Sequence, residues 1–147
     1  MFLVDTDVIS ASAPTRAQRP DAVLQWLREH GEQLFISTIT LAEIRRGIAF
    51  VDGKGHGRKA AMLTDWESSL LQSFADRILP VDERVAQRAG DLLGRAESRG
   101  FAPGLPDACI AATADLHRLI LVTANGRHFQ ALDIRYRSPY PEDDEQP

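Results

Sequence analysis

Apolar and polar positions follow two different patterns along the chain. Apolar runs of strand length occur at 2–4, 33–37, 77–81 and 119–123, with a candidate edge strand at 134–137. Apolar residues at helical spacing occur over 19–31, 39–51, 58–74, 83–100 and 106–118. Strands that alternate with helices predict a parallel sheet. We therefore expect one α/β domain, with a short, mostly parallel central sheet of four to five strands and helices on both faces.

Local signals set the expected ends of these elements. Ser37 or Thr38 can cap the second helix, and Asp82 can cap the fourth. The glycine-rich stretch 52–57 predicts a loop between two helices, and Asn125-Gly126 predicts a turn. No internal repeat interrupts this order.

Length and composition point to a globular protein outside the membrane. The chain has 147 residues, 44% of them hydrophobic and 26% charged, which suits one domain with a real core. The start "MFLVD" lacks the basic residues of a signal peptide, and no apolar run approaches the roughly 20 residues of a membrane span. Cys109 is the only cysteine, so no disulfide can form within the chain. We expect a cytoplasmic protein.

The net charge of −4 comes from the end of the chain. Four of the 21 acidic residues are Glu142, Asp143, Asp144 and Glu145, and the remaining 17 match the 17 lysines and arginines. The body of the protein is therefore neutral, with no large basic surface. The last residues are expected to form a disordered acidic tail.

Acidic residues occur where the predicted sheet would bind a ligand. In open α/β sheets, ligands bind beyond the carboxyl ends of the strands. Asp5 ends the first strand, Asp7 follows it, and Asp107 lies in the first turn of the helix before the fourth strand. Glu43 lies one turn into the helix after the second strand, beside its apolar stripe. Asp5, Glu43 and Asp107 together would need a cation, for which Mg²⁺ or Mn²⁺ is the natural choice.

Asp107 is the most unusual of these acids. It heads the small-residue run "LPDACIAATA", and its helical neighbours are Ile110, Ala111 and Ala114. This spacing predicts a carboxylate on the packed face of the helix, where desolvation has to be compensated. The alanines would let the helix lie close to the sheet.

Each acid also has a structural interpretation. Asp5 can cap the turn that follows it, and Glu43 can be a solvated residue on the flank of its helix. Asp107, after Pro106, can interact favourably with the helix dipole. Their common position at one end of the sheet is what favours a site.

Four motifs together resemble those of the PIN-domain ribonucleases. They are "LVDTDVIS", "STITLAEIRRG", "LPDACIAATA" and "LVTANGRHF", and they occur in that family's order over about residues 2–138. The likeness is greatest to the VapC/FitB-type toxins of bacterial type II toxin–antitoxin pairs. It implies a PIN-like nuclease domain over 1–138, followed by the acidic tail over 139–147.

The resemblance assigns roles to particular residues. Asp5, Glu43 and Asp107 match the acidic positions that bind metal, and the fourth acidic position is occupied by Asn125. An amide adds no charge, so a second metal ion would bind weakly there. Supporting roles beside the acids are implied for Thr6, Asp7 and Thr123. The catalytic set is thus Asp5, Glu43, Asp107 and Asn125.

The implied activity is hydrolysis of RNA by an endoribonuclease that depends on Mg²⁺ or Mn²⁺. Local cations would hold the RNA, with Arg45, Arg46 and Arg127 as candidates. His128 is expected at the rim of the cleft. The resemblance also implies a cognate antitoxin protein, contact with DNA only through that antitoxin, and a homodimer.

Two other functions fit parts of the sequence. "FLVDTDV" resembles the Asp-x-Asp strand end of haloacid-dehalogenase-like phosphatases, with Asp5 as nucleophile. That family needs a later pair of acids after a strand, which "LILVTANG" does not supply. The other alternative is a degenerate PIN module, weakened by Asn125, which binds RNA or a partner without cleaving it.

Overall fold

A five-stranded parallel sheet forms the centre of the protein. The computed structural model describes residues 1–140. The strands run in the order β3-β2-β1-β4-β5, all parallel to their neighbours. Their bounds are β1 Phe2–Val4, β2 Leu34–Ser37, β3 Ile78–Leu79, β4 Ile120–Val122 and β5 Tyr136–Arg137. The predicted α/β class and parallel sheet are confirmed, and 134–137 does supply the edge strand.

Within residues 1–140, seven α-helices lie between the strands. They are α1 Thr6–Ile9, α2 Asp21–Glu29, α3 Thr38–Gly53, α4 Gly57–Phe74, α5 Glu83–Ser98, α6 Leu105–Leu116 and α7 Gly126–Gln130. Ser37 caps α3 by accepting from the Ile39 N–H at 3.1 Å. Asp82 caps α5 through the Val85 N–H at 2.9 Å, as the sequence predicts.

β1 is the central strand, and its residues alternate between the two cores. Leu3 packs with the helices on one face, whereas Phe2 and Val4 pack with those on the other. The first core contains α5, α6 and Phe129 of α7. The second is formed mainly by α1, α2, α3 and α4. Helices therefore cover both faces, and every strand points its carboxyl end to the same edge.

The alanine-rich helix α6 is buried on nearly every side. Residues 108–114 are all buried, and Ala108, Ala111 and Ala112 have no exposed surface. Small side chains allow α6 to fit between the sheet and α5, as the sequence suggested. Because α6 runs antiparallel to β4, its first turn lies at the carboxyl edge of the sheet.

Two short helices differ from the sequence prediction. α1 follows β1 directly and is too short to give a helical periodicity. The turn predicted at Asn125-Gly126 was wrong, because Asn125 is the N-cap of α7. Gly126 is required for space: a Cβ there would lie 2.4 Å from Cε2 of Tyr136 on β5. The glycine therefore lets α7 pack against the edge strand.

The expected acidic tail lies mostly beyond the part of the chain that is described. Within it, Tyr140 packs against the core that contains Phe2 and Trp26. The acidic residues of 141–147 lie outside the described residues. Over 1–140, no helix is both long enough and apolar enough to span a membrane.

Candidate active site

Asp5 is the most buried carboxylate at the carboxyl edge of the sheet. Only 8% of the residue is exposed. Its Oδ1 accepts a hydrogen bond from the Thr6 N–H at 2.7 Å, and its Oδ2 accepts one from the Thr123 hydroxyl at 2.9 Å. Burial, helped by the negative charge of Asp7, raises the pKa of Asp5 to about 7. Asp5 is thus the N-cap of α1 and also a carboxylate that is costly to ionise.

Asp7 lies beside Asp5 and shares one of its partners. Oδ2 of Asp7 accepts from the Ala124 N–H at 3.1 Å and lies 3.3 Å from the Thr123 hydroxyl. Its Oδ1 is buried and accepts no hydrogen bond of ordinary geometry from the described residues. Burial raises the pKa of Asp7 as well, although hydrogen bonds partly oppose that rise. The pair therefore concentrates negative charge and leaves one buried Asp7 oxygen without a hydrogen-bond partner of ordinary geometry among the described residues.

Glu43 joins the same group from α3. Its Oε2 accepts a hydrogen bond from the Thr6 hydroxyl. The charge of Glu43 also contributes to raising the pKa of Asp5. Glu43 is half-buried, as its position on the flank of the apolar stripe predicts. The end of β1, helix α1 and helix α3 thus bring Asp5, Asp7 and Glu43, respectively, to one place.

Asp107 occupies the first turn of α6, but it is less buried than the sequence suggested. Its side chain is 25% exposed, and Oδ2 lies 3.3 Å from Nδ1 of His128. Side chains in an α-helix lean toward its N-terminus, so Asp107 faces the end of α6 rather than its packed middle. The expected desolvation is therefore only partial. His128, on α7, supplies the polar partner.

Asn125 links His128 to the carboxylates of Asp5, just after β1, and Asp7, on α1. Its side-chain nitrogen donates to Nε2 of His128 at 3.1 Å, which places the ring proton on Nδ1, toward Asp107. Its backbone N–H donates to the Thr123 hydroxyl oxygen at 3.0 Å. A continuous set of contacts thus runs from Asp107 through His128, Asn125 and Thr123 to Asp5.

The donor set suits a hard divalent cation. It consists of carboxylate oxygens, and one of them, on Asp7, is buried without a hydrogen-bond partner of ordinary geometry among the described residues. Asp5 has a raised pKa that a nearby cation would lower. Within residues 1–140, no three Asp, Glu, His or Cys side chains are grouped closely enough to hold one ion as they lie. Asp5, Glu43 and Asp107 would have to come closer together to share one.

The predicted RNA-contact arginines have different surroundings. Arg45 forms a salt bridge with Glu67, a glutamate of α4 whose side chain is only 5% exposed. The Arg45 charge is therefore engaged within the fold. Arg46 is exposed on α3, and Arg127 is exposed on α7 beside Asp107 and His128. Of the three, Arg127 is the one that lines a cavity together with Asp107.

Sequence reasoning did not single out Phe101, which lies in the loop before α6. Its residue surface is 52% exposed, and it lines a cavity beside Asp107. An aromatic residue within the Gly/Pro-rich stretch 100–104 was the available signal. Glu67 was also missed, since a buried glutamate on a polar helix has no distinctive pattern.

A comparison of the sequence with protein-family models identifies the fold family. The model described as "PIN domain" matches residues 2–134. The chain belongs to the PIN-domain family. Among curated relatives, Toxin FitB of Neisseria gonorrhoeae is 37% identical over 142 residues, covering 95% of this chain and 99% of that protein. VapC ribonuclease Y4jK of Sinorhizobium fredii is 33% identical, covering 95% and 98% respectively.

Solved structures of PIN-domain proteins superpose closely on this one. The FitAcB crystal structure from Neisseria gonorrhoeae has a TM-score of 0.84 at 37% identity, covering 96% of this chain and 99% of that chain. FitAB bound to an IR36 DNA fragment gives 0.79 at 34% identity, covering 99% and 100%. A toxin–antitoxin complex from Klebsiella pneumoniae gives 0.65 at 26% identity, covering 95% and 98%. PIN-domain ribonucleases of this kind are metal-dependent in general.

Proposed function

We propose that this PIN-domain protein is an endoribonuclease that acts as the toxin of a toxin–antitoxin pair. The observation that carries the proposal is the group of carboxylates from Asp5, Asp7 and Glu43 at the carboxyl edge of the sheet. Relatives that match nearly the full chain are named as a toxin and as a ribonuclease. The site and the family thus point to the same chemistry, hydrolysis of phosphodiester bonds in RNA.

Asp5, Glu43 and Asp107 are the residues proposed to hold Mg²⁺ or Mn²⁺. A divalent cation there would supply the positive charge that a phosphodiester needs as negative charge develops on its oxygens. Thr6 and Thr123 orient the carboxylates of Glu43 and Asp5 by donating to them. His128 and Asn125 fix the orientation of Asp107 from the other side. Glu43, which is half-buried at the rim, is the residue proposed to accept a proton from an attacking water.

The partners follow from the same relatives. We infer a cognate antitoxin, because one similar structure is a toxin–antitoxin complex. DNA would be bound through the antitoxin, since the body of this chain carries no excess of basic residues. We also propose a homodimer, a cytoplasmic location and a domain that ends near residue 138.

A cleavage assay with purified protein tests the activity. Single-stranded RNA is incubated with the wild type in Mg²⁺, in Mn²⁺ and in chelator, and the same is done with the Asp5→Asn and Asp107→Asn variants. We expect cleavage only with metal and only by the wild type. Circular dichroism establishes that both variants are folded. Turnover of a generic phosphomonoester without RNA cleavage would instead support a phosphatase.

Asn125 favours one other candidate, a PIN module that binds RNA without cleaving it. An amide at the fourth acidic position removes one negative charge from the site. Under this alternative, RNA binding would persist in chelator and no new RNA ends would form. Restoration of cleavage by Asn125→Asp in an otherwise inactive wild type would establish that the missing charge is the cause.

A further inference from the structure

A cavity of about 240 Å³ opens beside Asp107, outside the group formed by Asp5, Asp7 and Glu43. The loop before α6 forms one side of it, including Phe101 and Gly104, and α7 forms the other through Arg127 and His128. Pockets for drug-sized molecules measure about 300–1,000 Å³. This cavity is smaller than that range, and its size suits one flat ring system.

The walls of this cavity combine an aromatic ring with polar groups. Phe101 is 52% exposed, although phenylalanine is usually buried. The Arg99 guanidinium, which is outside the cavity lining and paired with Asp133, lies 5.7 Å from the Phe101 ring centroid. Arg127 is exposed, and the His128 side chain is 57% exposed. An aromatic face with donors and cations around it is the usual surface on which single-stranded RNA bases stack.

The position of the cavity relates it to the chemistry of the site. Asp107 is both a wall of the cavity and a proposed ligand, so an occupant would lie directly beside the reacting phosphate. His128 keeps its contact with Asp107, and its side chain, which is 57% exposed, leaves the ring accessible to a base in the cavity. Arg127 adds a positive charge on the same side. These features fit one nucleotide of an RNA strand that is cleaved at the phosphate beside that nucleotide.

We propose that this cavity binds the base of the nucleotide next to the scissile phosphate, with Phe101 as its stacking platform. Arg127 contacts the phosphate of that nucleotide, and His128 contacts the edge of its base. The proposal rests on the ribonuclease function and adds a residue that determines which sequences are cut.

The chain contains a matched control for Phe101. Phe50, at the end of α3, is 65% exposed, and Lys54 lies 5.5 Å from its ring centroid. It therefore has the same kind of ring, exposure and cation, but it does not line the cavity. Phe50→Ala measures the effect of losing an exposed aromatic elsewhere on the surface.

The test maps cleavage sites in a pool of random-sequence RNA for the wild type, Phe101→Ala, Phe101→Trp and Phe50→Ala. We expect the wild type to prefer certain bases at one position beside the cut. Phe101→Ala should flatten that preference, whereas Phe101→Trp and Phe50→Ala should retain a preference at that position. An unchanged preference in Phe101→Ala would overturn the subsite while leaving the ribonuclease function intact. Absence of any cleavage by the wild type would overturn both.

A binding measurement gives a second readout that does not depend on turnover. Asp5→Asn is titrated, with and without Phe101→Ala, against a cleavable oligonucleotide in which each base in turn is replaced by an abasic residue. One abasic position should weaken binding about 5- to 150-fold, the contribution of one base–aromatic stack. Phe101→Ala should remove the sensitivity at that position. If Phe101→Ala instead changes the oligomeric state, Phe101 is a contact between copies and the subsite is excluded.

Discussion

The Thr123 hydroxyl, just after β4, donates to the Asp5 carboxylate, just after β1, across 2.9 Å, and it lies 3.3 Å from the Asp7 carboxylate. One hydroxyl therefore stabilises two acidic side chains whose burial raises the pKa of each. Thr123 itself is 1% exposed, so water cannot readily replace it. This contact is the link between the two neighbouring strands at the proposed site.

Thr123→Val should destabilise the metal-free protein because it removes the one hydroxyl proton that Asp5 accepts and that Asp7 shares at longer range. The expected loss is about 1–3 kcal/mol in the free energy of unfolding, measured in urea with chelator present. Thr123→Ser keeps the hydroxyl and should lose much less. A loss in Thr123→Ser with none in Thr123→Val, which keeps the methyl group, would show that the methyl group, rather than the hydrogen bond, matters.

Asp5 should make the stability of the metal-free protein depend on pH. Burial, followed by the charge of Asp7, raises its pKa from 3.8 to about 7 in the folded state. Between those values the folded chain binds more protons than the unfolded chain, so stability falls as pH rises toward about 7. Asp5→Asn cannot ionise and should flatten this fall, which is on the order of a few kcal/mol.

Urea unfolding at about pH 5 and about pH 8, in chelator, measures this pH effect. Asp65→Asn, on the exposed surface of α4, is the matched control and should retain the wild-type slope. A steeper decline in Asp5→Asn than in the wild type would contradict the assigned direction.

Arg45→Ala should affect folding stability rather than RNA binding alone. It leaves the Glu67 carboxylate, with 5% of its side chain exposed, without its ion-pair partner. Thermal unfolding should show a loss of about 1–3 kcal/mol, moderated because Arg45 itself is 57% exposed. Arg46→Ala removes a neighbouring exposed arginine of the same helix, and its free energy of unfolding should equal that of the wild type.

Gly126→Ala should destabilise the packing of α7 against the edge strand. The added Cβ would lie 2.4 Å from Cε2 of Tyr136, so either the Tyr136 ring or α7 has to shift. We expect a loss of about 1–3 kcal/mol in unfolding experiments. Gly90→Ala, in the interior of α5 with no atom within 4 Å of its Cβ, should instead stabilise the protein by up to about 1 kcal/mol. Destabilisation by both variants to the same extent would refute the steric explanation.

Long periodic segments carried enough information to predict most of the fold. The helix over 83–98 has a capping Asp82 and a regular apolar stripe, and its start was predicted to the residue. α1 and α7 were not predicted, because four or five residues contain too little periodicity. The Gly126–Tyr136 contact explains α7, and it joins residues that only the folded chain brings together.

The candidate site was predicted in its composition but not in its internal contacts. Motif resemblance singled out Asp5, Glu43 and Asp107, since each occupies the carboxyl edge of a parallel sheet. The pairing of Asp107 with His128 depends on where α7 packs, which the sequence pattern did not predict. Phe101 lies in an irregular loop, so only the cavity beside Asp107 gives it a role.

Whether this protein is a ribonuclease toxin is measured by mapping RNA ends in bacterial cells that express the wild type or Asp5→Asn. We expect growth arrest and new RNA ends with the wild type, and neither with Asp5→Asn at the same level of folded protein. Equal growth and identical RNA ends in the two cultures would contradict this function, and so would cleavage that persists in Asp5→Asn.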